Sequence, residues 1–181
     1  MGPITYSLCQ KPIIGLALWA ASLCAVSPPF SGVPIDLAHS GTRMTKSFRV
    51  PVAKQYLLAR TFQIASVEAR LADQAVGDRF DRNCEGKIRY EDIPERERIG
   101  LGRPIPFRVV VRRAADRSVL VDETFVSLCL VSHDGHGAKT RTIGWLALPV
   151  GDYMAEVTNL QAQPALAAVG ASISLYSGQG K

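Results

Sequence analysis

Histidine and cysteine are scarce, with three and four in 181 residues. A zinc site needs three or four ligands. His39, His133 and His136 with those cysteines make a full set only through long-range coincidence. Aromatic residues make up 7% of the chain and are not interleaved with clustered cations. A basic stripe with stacking rings is therefore missing, and nucleic acid is not an expected partner. The formal charge of +5 is scattered. It reads as a solvated surface with some attraction for anionic partners. No Gly-x-Ser-x-Gly elbow occurs, and no glycine-rich phosphate loop precedes a helix. There is no internal repeat. With no catalytic set in view, a non-enzymatic protein is expected.

Charge is missing from one region in particular. Lys11 is the only charged side chain before Asp36. Pro12 to Val26 is apolar, shorter than the ~20 residues a spanning helix needs, and Pro28-Pro29 follow it. A basic start, an apolar middle and small residues describe an export signal. The expected organisation is a signal peptide or N-terminal anchor over 1–25, a linker over 26–33 and one domain over 34–177. The expected location is the periplasm or cell envelope. A lipid anchor at Cys24 is a second reading. Leu23 stands where a lipobox wants a small residue, which argues against it. Cys84 and Cys129 would remain after export. An oxidising compartment permits one disulfide between them. The alternative packs Cys129 in a strand as a small hydrophobe.

What is present is strand alternation. Short strands are expected over Pro34–Ala38 and around Phe48 and Val50, with a longer one over Tyr56–Phe62. Arg60 shares the row of Tyr56, Leu58 and Phe62, and a solvated edge position is the preferred explanation. Ser66 to Val76 reads as a helix with an apolar stripe of Val67, Leu71 and Val76, ended by Gly77. Residues 77–103 are polar and rich in turn signals. Pro104–Arg112 alternates, with Ile105, Phe107, Val109 and Val111 facing one way and Arg108 and Arg112 the other. One or two strands follow in Val119–Val131, then Thr142–Leu148, Tyr153–Leu160 and a last strand with Val169, Ala171, Ile173 and Leu175. Seven or eight strands at this spacing predict an all-β fold. It is an immunoglobulin-like antiparallel β-sandwich with one short helix in a long inter-strand excursion.

The stretch Leu148-Pro-Val-Gly-Asp-Tyr153 reads as a tyrosine corner, in which a Tyr hydroxyl bonds back to backbone upstream. Leu148, Gly151 and Tyr153 are its structural residues, with Gly151 supplying an unusual backbone conformation in a turn.

Asp81 to Asp92 mimics a calcium loop. Asp81, Asn83, Glu85 and Asp92 stand at oxygen-ligand positions, with Gly86 at the sharp turn. These are the candidate metal ligands. Asp92 is shorter than the usual glutamate, no second loop pairs with this one, and a solvated turn around Glu85-Gly86 is preferred. His133-Asp-Gly-His136 likewise reads as a turn. A hydrolase with a site around His133 or His136, and a calcium-binding or structural envelope protein, stand as alternatives to a binding function.

A set of motifs resembles a known family. They are Phe48-x-Val50, Tyr56-x-Leu58-x-x-x-Phe62, Val76-Gly77-Asp78, Asp81 to Gly86, and Gly102-x-Pro104-Ile-Pro-Phe-Arg-Val109. Lys139-x-x-x-Ile143, Leu148-x-x-Gly151-x-Tyr153 and Asn159-Leu160-x-x-x-Pro164-x-Leu166 follow. Over residues 33–177 the chain is similar to the domain of unknown function 5625 family. The resemblance implies an exported β-sandwich, often a lipoprotein. It implies a protein partner, since such proteins resemble candidate immunity proteins encoded beside antibacterial secretion-system effectors. It assigns no functional residues.

Overall fold

The computed structural model describes residues 27–80, 90–134 and 137–177. The signal, anchor and Cys24 readings fall outside those residues. Among the described residues, no helix is long and apolar enough to cross a membrane. Nine strands are described: β1 Phe30–Pro34, β2 Arg43–Val50, β3 Lys54–Gln63, β4 Ile105–Arg113, β5 Val119–Ser127, β6 Leu130–His133, β7 Ala138–Leu148, β8 Gly151–Asn159 and β9 Gly170–Tyr176. They form two antiparallel sheets, ordered β1-β9-β3-β7-β6 and β2-β8-β4-β5. The expected all-β sandwich is the architecture of this chain.

The alternating rows explain the layers. Ile105, Phe107, Val109 and Val111 of β4 are fully buried, and Tyr56, Leu58 and Phe62 of β3 face them across the core. Burying each large apolar side chain contributes about 1.5–3 kcal/mol. On the outer face of the second sheet, Arg108 forks onto Asp122 with two contacts of 2.8 Å.

Three expectations need correction. β1 begins at Phe30, inside the segment read as a linker, and shares only Pro34 with the strand expected over 34–38. Phe30 is drawn into the core by an edge-on contact with Phe48, ring centroids 5.4 Å apart. Helix α1 spans only Val67–Ala72 and buries none of its residues. Its Ser66 cap accepts from the Ala69 N–H at 3.1 Å. The supposed stripe fails because Leu71 is 69% exposed, while the buried Val76 lies beyond the helix. Arg60, read as an edge residue, is fully buried on β3, which sits between β9 and β7.

Gly77 does not end the helix. It bridges to Leu101 with a φ of 80°. A Cβ there would lie 2.3 Å from the Gly102 backbone nitrogen, and one on Gly102 would lie 2.1 Å from the Val76 carbonyl oxygen. The two glycines let the ends of the excursion close into a neck. Short 3-10 turns at Tyr90–Asp92 and Glu95–Glu97 lie along it.

The register of β3 against β7 shifts once, between Leu58 and Ala59. Leu58 pairs with Gly144 and Ala59 with Thr142, leaving Ile143 as the extra residue. Beyond that bulge Arg60 lies opposite Arg141, and Phe62 opposite Lys139.

Candidate functional site

The β7–β8 connection carries the corner. Tyr153 is buried and its hydroxyl donates to the Pro149 carbonyl at 3.0 Å. Gly151 is the first residue of β8, paired with Val50, and is not in the left-handed region. Its glycine is needed for space instead. A Cβ at Gly151 would come 3.1 Å from the Tyr153 hydroxyl oxygen and 3.3 Å from two ring carbons. Packing against the Tyr153 ring, and not backbone conformation, calls for glycine at 151. Leu148 closes β7 and is buried. A second staple of the same kind was not read from the sequence. The Tyr56 hydroxyl donates to the Val52 carbonyl at 2.8 Å, also four residues back. The signal available was the placement of Tyr56 at the start of its own strand after Pro51.

The other end of the β3–β7 pair is cationic. Arg60, Lys139 and Arg141 are all fully buried. The Lys139 ammonium meets Asp73 Oδ2 at 2.9 Å and Asp78 Oδ1 at 3.0 Å. The Arg141 guanidinium donates to the Val76 carbonyl at 3.3 Å, to the Arg103 carbonyl at 3.0 Å and to the Ser127 carbonyl. Burial pushes the Arg141 guanidinium down to about 9, against the pull of the Asp73 carboxylate. Two interior cations thus hold both sides of the excursion's neck, through Asp73, Val76 and Asp78 before it and Arg103 after it. Arg60 instead lies over rings, 4.0 Å from the Phe62 centroid and 5.1 Å from that of Phe107. Burial first, and then the like charge of Arg141, pushes its guanidinium well below the ordinary value. The missed signal was parity. Lys139, Arg141 and Ile143 alternate on one strand, so a buried Ile143 implies two inward cations.

The candidate calcium residues Asp81, Asn83 and Glu85 lie outside the described residues. Asp92 is exposed in its 3-10 turn. Among the described residues, no three His, Cys, Asp or Glu side chains gather as a metal site. Cys129 is buried and disulfide-bonded. Cys84, the other half of the expected pair, lies outside the described residues. His133 belongs to β6 rather than to a turn, and its ring lies 5.5 Å from that of Phe80. His136 lies outside the described residues. Asp134 tightens the connection that follows, its Oδ1 accepting from the Ala138 N–H at 2.7 Å.

One flank of the sandwich is open. β6 pairs with β7 only through Lys139–Arg141, so the rest of β7 as far as Leu148 has β3 on one side and no strand on the other among the described residues. β5 forms the edge of the second sheet on this flank, where Phe125 lies over Gly144. A groove of about 370 Å³ runs there, lined by Leu120, Val121, Phe125, Trp145 and Ala147 among others. Trp145 is 37% exposed at its rim and Val119 is 55% exposed nearby on β5. A strand edge of this kind leaves backbone donors and acceptors available to an added strand.

A family model described as "Domain of unknown function (DUF5625)" matches residues 32–177. None of the curated proteins compared with the chain matches it. A crystal structure of a protein from Sulfurospirillum deleyianum is similar in fold, with a TM-score of 0.62 and 19% sequence identity. The similarity covers 86% of this chain and all of that one.

Proposed function

The chain belongs to the domain of unknown function 5625 family, and from that premise we propose that it is an exported, non-enzymatic binding protein of the cell envelope. Its partner in this reading is a protein, an effector delivered by an antibacterial secretion system, which it neutralises as an immunity protein. The observation that carries a binding role is the open flank. Trp145 stands half-exposed at the rim of a groove beside the unpaired edge of β7. Buried aromatic anchors dominate protein interfaces, and main-chain bonds to a free edge supply affinity that depends little on side-chain identity. The occupant we assign is an extended segment of the effector, added along β7 with an apolar side chain against Trp145. The net charge of +5 favours an acidic partner. The export signal read from Pro12–Val26 supplies the compartment, and the family resemblance supplies the class of partner.

The test is growth rescue. The effector encoded beside this gene, directed to the periplasm, should arrest growth, and co-expression of the full chain should restore it. Trp145→Asp should abolish the rescue while the variant still folds and unfolds cooperatively. No arrest, no rescue, or full rescue by Trp145→Asp overturns the proposal.

A further inference from the structure

The cationic end of the sandwich has one group whose chemistry is incomplete. A guanidinium carries five N–H donors and is not deprotonated in proteins. In Arg60, the Nε, Nη1 and Nη2 atoms are all buried and have no hydrogen-bond partner among the described residues. Arg141 next to it is different, since its two terminal nitrogens reach three backbone carbonyls and only Nε is left over. Lys139 already holds Asp73 and Asp78, so these two carboxylates are engaged elsewhere. Among the described residues this interior charge has neither a counter-ion nor an acceptor. An isolated charge is the costliest group to bury, and natural interiors pair it.

The geometry narrows what completes it. The Phe62 and Phe107 rings lie against the guanidinium. Ring faces attract a cation but accept no ordinary in-plane hydrogen bond. What is missing is an acceptor at the N–H rim, carrying negative charge. A water molecule supplies an acceptor and leaves the charge uncompensated. A polyphosphate or a large organic acid does not suit a side chain with no exposed surface. We propose that the N–H rim of Arg60, between Phe62 and Phe107 and opposite Arg141, binds one small monoanion of chloride size inside the sandwich. The ion is structural. It neutralises the third of three interior cations, and it does so independently of any partner at the open flank.

An anion bound only by the folded chain raises stability in proportion to the logarithm of its concentration. The measurement is thermal unfolding of the full chain at fixed ionic strength, with sodium chloride replacing sodium gluconate, whose anion is too large for the site. The wild-type midpoint should climb by about 3–5 °C for each tenfold rise in chloride above the dissociation constant. Arg60→Met keeps the length and apolar packing of the side chain and removes the charge. It should fold in gluconate and show a flat chloride response. A flat wild-type response overturns the proposal, and so does an equal slope in Arg60→Met, which would place the ion elsewhere. Should Arg60→Met fail to fold, bromide substituted into wild-type crystals decides the matter by anomalous scattering. A peak at the Arg60 guanidinium together with the chloride-dependent midpoint supports the site. Absence of that peak, or an adventitious ion only, seen in the crystal without any chloride dependence, overturns it.

Discussion

The two halves of the β3–β7 pair are built from the same strands and held by opposite means. On one side of the bulge, Tyr56, Leu58, Leu146 and Leu148 make an apolar core, at whose margin the Tyr56 and Tyr153 hydroxyls each reach a carbonyl. On the other side, Arg60, Lys139 and Arg141 occupy the same inward row. The apolar half gains from area removed from water and tolerates small changes of shape. The cationic half also buries Phe62, but it is held differently. Its cations are committed to particular carbonyls and carboxylates, so truncating one leaves a buried group stranded. This sandwich uses its cationic half to attach the 77–103 excursion, whose described residues bury no large apolar side chain.

The comparison breaks most sharply at Arg141. Arg141→Met should lower stability by about 3–5 kcal/mol, because the Val76, Arg103 and Ser127 carbonyls lose their donor. Urea unfolding measures the loss. Limited proteolysis should then cut the excursion before the strands, and a chain cut first in its strands would show that Arg141 does not hold the neck.

Next in size is Gly144→Ala, at the bulge between the halves. The new methyl would sit 2.3 Å from a ring carbon of the buried Phe125. Overpacking of this kind costs about 1–3 kcal/mol. An unchanged midpoint would mean that the Phe125 ring swings freely, and that the apolar half is looser than its burial indicates.

On the apolar side, Tyr153→Phe and Tyr56→Phe each remove one hydroxyl donor to a partly buried carbonyl. Each should cost about 1 kcal/mol, read from the denaturant midpoint. A loss at Tyr153 as large as that at Arg141 would erase the distinction between the halves.

The smallest effect belongs to the exposed arginine. Arg108→Gln should leave the midpoint within experimental error, since solvent screens the Arg108–Asp122 pair. The Arg108 hydrogen bond, and then its charge, hold the Asp122 carboxyl below its ordinary value. Whatever the pair contributes is therefore present above the unfolded carboxylate range. It is lost as pH falls through the depressed folded value. A pH titration in which Arg108→Gln and wild type superimpose above that range, and remain parallel below it, would assign the pair no role.

Much of the fold was legible because alternation is a local signal. The inward rows of β3, β4 and β8 follow from the order of apolar and polar residues, and the sheet faces follow from the rows. The corner was legible as a spacing, although the space taken by the Tyr153 ring, and not a turn conformation, is what demands Gly151. The cationic cluster was not legible. Arg60 on an apolar row looks like an edge residue unless the order of strands is known, and that order places β3 in the middle of its sheet. The acceptors for Arg141 come from three separate segments, and no pattern along the chain announces them. The open flank was also hidden, since a free strand edge is a property of how β6 falls short of β7.

The closed neck at Gly77 and Gly102 has a consequence for chain length. A segment whose two ends touch adds to the chain without moving the strands that carry it. Doubling its length costs only about 0.6 kcal/mol in closure entropy. A change of length between the glycines leaves the contacts at Gly77, Gly102 and the cations beneath them in place. The segment can change length at small entropic cost while the strands keep their register.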